Sequence, residues 1–552
     1  MAEAITEMVL PSTYIEVRAE GLIGVSGIVT GNVGVVGTAS RGPIGEPVVL
    51  STFTDARQTF GDYDAWVDGN SMELTLVRAL QQVFGNGGST VYAVRTAADG
   101  AAPAARALLK GADAVVTFTA VTPGTWGDDI TVQAKPASAN AFVQERRQTV
   151  TANPLAPLHA NIAPSPRNVV RVKKVATGQT FRYPLATSGS AAAGKPVVKA
   201  NGDLTFVAAD QPVAGDVVTA AYEVTQANAR DIVIAYGNVV ETFTVADATD
   251  IAADITAGSS LVNATIAAGQ AASLPDELAD AVPLTGGSNG EFADTSDYAT
   301  SLALLDEEAI NLVVLAGQSC SDASATLLAH VETAENNGHD RIAIVGADAD
   351  TPAVALGNAD TVGDDRLILV APGIVADDLA SDVDSRLTPA YSAAAIAGLI
   401  AGLAPQSSPT NKTLAVGGLT TLYNDGQLKQ LLGGRILALQ RRSGFRVVKG
   451  ITTDDGPFRQ ISVRRIVDYA KAGTRAGSQP YIGRLNNARV RGALQATLNG
   501  FLADMVLNEQ LTEFTLTVTA TREQEIAGIA LVTMLLKPTF SIDYVKVIMN
   551  LS

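Results

Sequence analysis

The sequence predicts a multidomain chain of mixed α/β and α+β type, and three observations lead there. Residues 22–95 and 285–400 both alternate short apolar runs with helical patterns, as in a parallel or mixed sheet covered by helices. Residues 97–285 between them are rich in Val, Thr and Ala broken by Pro, Gly, Ser and Asn, which is the texture of short β-strands. The last part combines a long amphipathic helix with strand-like alternation. At 552 residues the chain exceeds one hydrophobic core and divides into about three or four domains.

Along the chain, residues 14–18 alternate, with Ile15 and Val17 on one face and Tyr14, Glu16 and Arg18 on the other, the pattern of a half-buried strand. The strand Gly34–Thr38 then runs into the turn "SRGPIGEP". Its glycines do not follow the spacing of a dinucleotide or phosphate loop, and Pro43 and Pro47 forbid a helix where the phosphate would sit. The turn therefore reads as a rigid connection, with Arg41 facing water or a neighbouring carboxylate. A strand at "PVVLSTF", a helix beginning at Thr54 or Asp55, the helix "SMELTLVRALQQVFG" and the strand "TVYAVRT" complete this half. The second half has helices at "YATSLALLDEE" and "ATLLAHVETAENN" and buried strands at "INLVVLAG", "RIAIVGA" and "RLILVAPG".

Near the end, a helix over about 459–476 precedes one over about 484–507, in which Leu494, Leu498, Phe501 and Met505 form one apolar stripe, suited to packing on its own sheet. The strand "IALVTMLL" follows, then a terminal strand over 543–549 in which Val545, Val547 and Met549 alternate with Tyr544, Lys546 and Ile548. Terminal strands leave unpaired backbone groups unless they join a sheet. The expected domains are an arm at 1–20, a first α/β half at 21–96, a β-rich insertion at 97–285 with a nested element near 150–228, a second α/β half at 286–425 and an α+β C-terminal domain at 426–552.

Composition excludes several functions. Cys320 is the single cysteine, so there is no disulfide framework and a reducing compartment is expected. The three histidines, His159, His330 and His339, fall in no zinc motif, so neither a metal nor a cofactor is expected. No basic leader and no apolar run long enough for a membrane span is present, so no direct membrane insertion is expected. The net charge is −17, yet residues 425–510 hold 14 Lys and Arg against 6 Asp and Glu. Without interleaved aromatics this basic stretch points to self-assembly or an acidic protein partner, and away from direct nucleic-acid binding. Two rival readings stand beside it. The βα alternation suggests an α/β hydrolase-like or nucleotide-binding enzyme, against which the absence of GxSxG counts. The β-rich insertion suggests a surface adhesion protein.

The stretches "PSTYIEV", "VGTASRGPIGEPVVLSTFTDARQTFG", "LTLVRALQQVFGNGGSTVYAVR", "TPGTWGDDITV", "VPLTGGSNG", "INLVVLAG" and "VRRIVDYA", followed by the long helix and terminal strands, occur in an order that resembles the tail sheath proteins of contractile-tailed bacteriophages and related contractile injection systems. Residues 150–228 show no family pattern. The resemblance implies a structural subunit and no enzyme, with a sheath-type core, no cofactor and no metal. It implies stacked hexameric rings around an inner tail tube protein, bounded by baseplate and tail terminator proteins. On triggering, the sheath would shorten and drive the tube through a target envelope, as in genome ejection. It implies subunits linked by exchanged terminal strands, which suits Tyr14, Ile15, Glu16 and Val17 at one end and Tyr544, Val545, Lys546, Val547 and Ile548 at the other. It further implies that the C-terminal domain faces the tube, with Arg464, Arg465, Arg484 and Arg489 as contacts to tube or neighbour. The implied location is the virion tail, assembled in the host bacterial cytoplasm.

Overall fold

The computed structural model describes residues 27–67, 73–151, 155, 157–381 and 384–550. They form two compact units, one from residues 27–39, 44–98 and 292–550 and the other from residues 40–43 and 99–291.

The first unit is built on a nine-stranded sheet. Its central strands Thr90–Thr96, Asn32–Thr38, Leu312–Leu315, Ile342–Gly346, Leu367–Ala371 and Leu437–Arg441 are parallel neighbours in that order. Pro47–Leu50 closes one edge antiparallel, and Phe445–Val447 and Thr413–Leu414 close the other. Strands buried on both faces read as continuous apolar runs, and the packing shows why. Val33 and Val35 join Leu312, Val314, Ile368 and Val370 in one core, while Val36 joins Val313, Leu315, Leu367 and Leu369 in the other. Helices Thr75–Gly85 and Pro389–Ala401 cover the first face, and Thr295–Ala303, Cys320–Asn336 and Asp425–Gly433 cover the second. Pro389–Ala401 is apolar almost all round and almost wholly buried. Gly398 lets it approach its neighbour, because a Cβ there would lie 2.2 Å from the Val83 carbonyl oxygen.

The first helix starts at Phe53, slightly before the expected residue, because Thr52 and Asp55 form a reciprocal capping box that satisfies the first backbone donors. Likewise, the long C-terminal helix begins at Ala488 and not near residue 484, since the Asn487 side chain accepts from the Val490 amide.

Behind the sheet, helices Ile461–Ser478 and Ala488–Leu507 pack with the antiparallel pair Leu511–Thr519 and Leu531–Pro538. The predicted stripe Leu494, Leu498, Phe501 and Met505 lies in this small core. The helices come close because Gly473 faces the Phe501 ring; a Cβ there would meet Phe501 Cζ at 2.0 Å.

The second unit is β-rich. One core joins Val239–Val245, Arg230–Tyr236 and Thr131–Pro136 with Ala105–Lys110, Asp113–Ala120 and the helix Ala248–Gly258. A second core fills a four-stranded antiparallel sheet ordered Thr180–Pro184, Val169–Lys173, Val217–Val224 and Ala141–Thr149. Among the described residues Arg41 meets no carboxylate. Its guanidinium lies over the Trp126 ring at 4.4 Å and the Tyr236 ring at 5.4 Å, where cation–π attraction replaces an ion pair. Gly42 and Gly45 take positive φ in the turn, a conformation glycine adopts without steric cost.

Candidate assembly surface

Leu511–Thr519 and Leu531–Pro538 pair only with each other among the described residues. Phe514, Leu516, Val518, Val532, Met534 and Leu536 face the Ala488–Leu507 helix, while Thr515, Thr517, Leu531, Thr533 and Leu535 point to solvent. Leu535 is 60 % exposed, and Ile526 and Ile529 in the connection are exposed as well. A strand pair that exposes Leu531 and Leu535 among threonines, with both edges open among the described residues, is a template for another strand. The alternating "LTEFTLTVT" carried a legible strand signal, but nothing local in it shows that its outer edge is free.

The chain then leaves the pair through a set of anchors. The Ser541 amide donates to Gln460 Oε1 at 3.2 Å, and Gln460 Nε2 donates to the Asp543 carboxylate at 3.2 Å. Lys449 Nζ lies 3.0 Å from Asp543 and 5.0 Å from the centre of the Tyr544 ring. Lys449, Asp543 and Tyr544 line a polar groove of about 710 Å³ together with Lys429, Arg442 and Arg446. Beyond Tyr544, residues 545–550 are exposed and form no strand.

Among the described residues the expected strand over 543–549 therefore has no ladder, and its alternation produces no buried face. A lone segment has no partner for its amides, and its side chains have no sheet to pack on. Tyr544 is held by Lys449, whereas Val545, Lys546, Val547 and Ile548 stand free in solvent. Tyr14, Ile15, Glu16 and Val17 lie outside the described residues.

The four arginines separate into two pairs, of which Arg464 and Arg465 lie inside the unit. Arg464 bonds Asp365 at 2.5 Å and Asp468 at 2.7 Å. Arg465 donates to the carbonyls of Leu403 and Thr30, each at 2.9 Å. Both side chains are buried on the inward face of Ile461–Ser478, so their charge serves this chain. Arg484 and Arg489 are exposed. Arg484 stacks over Tyr481 at 5.3 Å beside an apolar pocket of about 350 Å³ lined by Leu485, Val490, Leu494 and Ile529.

Ile461–Ser478 is tied to the sheet by a dense ion network. Arg366, at the start of Leu367–Ala371, bonds Glu335 at 2.7 Å, Asp340 at 2.8 Å and Asp468 at 3.1 Å. Lys471 and Arg475 also bond Asp340. The hydrogen bond from Arg366 holds the Glu335 carboxyl well below its usual range. Burial opposes ionisation of Asp340, but the bonds from Lys471 and Arg475 keep it low.

His330 lies 3.0 Å from both Asp306 and Arg341. Burial and the adjacent Arg341 push it down to about 4, so it is neutral at physiological pH. Cys320 is buried, and burial pushes its thiol up to about 11, away from a reactive thiolate. In the second unit, His159, Asp247 and Asp250 bring three ligand atoms within 4.8 Å of one another, a set that would suit a divalent cation. The Arg146 guanidinium already bonds Asp247 and lies 3.3 Å from both Asp250 and His159, so a positive group of the chain fills the position a metal would take.

Residues 292–453 match the phage tail sheath protein central domain, and residues 453–552 match the phage tail sheath C-terminal domain. Residues 292–552 thus carry the two domains of a tail sheath protein. The open strand pair and the anchored, exposed tail both lie in the C-terminal sheath domain. The sheath fold extends beyond the matched residues. The structure of the sheath tail protein from Listeria innocua aligns with TM-score 0.60 at 14% identity, covering 94% of this chain and 93% of that one. The sheath tail protein from Desulfitobacterium hafniense aligns with TM-score 0.58 at 15% identity over 96% and 100%. The helical sheath of the anti-feeding prophage in its contracted state aligns with TM-score 0.51 at 13% identity over 99% of each chain. No curated protein matches the chain by sequence.

Proposed function

We propose that this sheath protein is the polymerising subunit of a contractile tail, stacking as hexameric rings around an inner tube and shortening to drive that tube through a target envelope. The observation that carries the reading is the open pair Leu511–Thr519 and Leu531–Pro538 beside the exposed residues 545–550. Strand donation would satisfy both: one copy's tail, and its residues 14–17, add to a neighbour's open edge through backbone hydrogen bonds. Such ladders tolerate rotation of the subunit bodies, because their energy does not depend on which side chains slide past. Baseplate and tail terminator proteins would bound the polymer, and the virion tail, assembled in the host cytoplasm, would be its location.

The subunit works without catalysis in this reading, with the energy of contraction stored in the lattice. Arg484 and Arg489 remain available to a tube or a neighbour. Negative-stain electron microscopy of the full chain beside chains lacking residues 1–20 or 545–552 tests the proposal. Hollow cylinders from the full chain and small particles from both truncations are expected. Cylinders from all three would overturn strand linkage, and small particles throughout would overturn the polymer itself.

A further inference from the structure

The four-stranded sheet in the second unit carries an arrangement that its own stability does not explain. Arg182 is directly opposite Arg171 in the antiparallel register. Arg171 is opposite Thr219, and Thr219 is opposite Arg147. One row across all four strands thus reads Arg182, Arg171, Thr219, Arg147, with Lys173 two residues along on the same face. All four cations are exposed, and their strand neighbours Val170, Val172, Val218 and Ala220 fill the core on the opposite face. With strands about 4.8 Å apart, the three guanidiniums span roughly 15 Å.

Like charges directly opposite on a sheet are destabilising, and little here offsets them. Among the described residues the one ion-pair partner of the row is Glu145, 4.0 Å from Arg171, while Arg147 and Arg182 have none. The nearby Lys174 and Arg167 are satisfied by Asp216 and Glu223, so compensation is available in this sheet but is withheld from the row. Guanidiniums on neighbouring strands present planar forks suited to carboxylates.

We infer that this cationic face docks onto the acidic surface of a second copy of the chain. The occupant follows from charge: the chain carries a net −17, so copies brought together repel except where a concentrated positive face meets the acid excess. The inference rests on the polymer reading above and adds a lateral contact apart from the terminal strands.

Arg182→Glu tests it, because this change places an acid opposite Arg171. Thermal melting of the variant should be equal to or higher than that of the wild type, which excludes misfolding as the cause of any other effect. Association, followed by sedimentation velocity and electron microscopy, should weaken at least about tenfold at low salt, about 50 mM, and the difference should shrink at about 500 mM, where screening shortens the Debye length. Lys110→Glu, an exposed reversal elsewhere in the unit, should leave association unchanged, and Arg182→Lys should retain most of it. Equal tube formation by Arg182→Glu and wild type, with the same salt dependence, overturns this inference and leaves the polymer reading intact. A wild-type chain that stays monomeric overturns both. Binding of inorganic polyphosphate that is lost in Arg182→Glu, with association unaffected, overturns the second-copy occupant in favour of a phosphorylated polymer.

Discussion

The Arg366 guanidinium bonds the Glu335 carboxylate at 2.7 Å, joining a strand of the nine-stranded sheet to the end of the helix Cys320–Asn336. Because the same guanidinium holds Asp340 and Asp468, it is also the link to the C-terminal helix Ile461–Ser478. Removing it as Arg366→Met takes from Glu335 its principal cation and from Asp340 and Asp468 one of several, and breaks the buried guanidinium's pairing with all three. The expected loss is about 3–5 kcal/mol, the range for breaking a buried pair on one side, read by urea unfolding.

The same network sets an acid limit. Glu335 and Asp340 titrate below their ordinary values of 4.5 and 3.8 in the folded chain, so the stability they contribute is present above those values and is lost as pH falls through the folded ones. Asp468, pushed up mainly by burial, acts in the opposite sense. The melting temperature of the wild type should fall more steeply below about pH 4.5 than that of Arg366→Met, in which these depressions are reduced. Parallel curves would refute this account.

Asp250 behaves differently. Burial first, and then the neighbouring Asp247, push it up to about 6. Its ionised form is therefore disfavoured in the fold, and the associated cost grows as pH rises through 6 and is absent below its ordinary 3.8. Asp250→Asn should melt above the wild type at neutral pH, and the gap should close on acidification. A gap that persists in acid would point to packing, not charge.

Gly473→Ala drives a methyl into the Phe501 ring. Overpacking of this kind costs about 1–3 kcal/mol. Combined with Phe501→Leu, which makes room, the loss should be smaller than the sum of the single changes, measured by denaturant unfolding. Additive losses would mean the helices move apart instead.

Removal of residues 545–552 should leave the melting temperature unchanged, since residues 545–550 are exposed and the anchors at Asp543 and Tyr544 remain. The same deletion should abolish polymer formation. A large drop in melting temperature would show that the tail belongs to the subunit's own fold.

What the sequence by itself determined is everything carried by local pattern. The doubly covered sheet was legible because its strands are continuous apolar runs, and the stripe Leu494, Leu498, Phe501 and Met505 because helical period is local. The sheath resemblance rested on the order of short motifs along the chain. Tertiary structure alone decided the rest. Arg464 and Arg465 read as exposed cations in a basic stretch, but the acids and carbonyls that bury them lie far away in sequence, at Asp365, Thr30 and Leu403. The Arg182, Arg171 and Arg147 row exists only through strand register, which no segment of sequence displays. The alternation over 543–549 states that a strand is possible there, but a strand is a property of two partners, and within the described residues of one chain the second is missing.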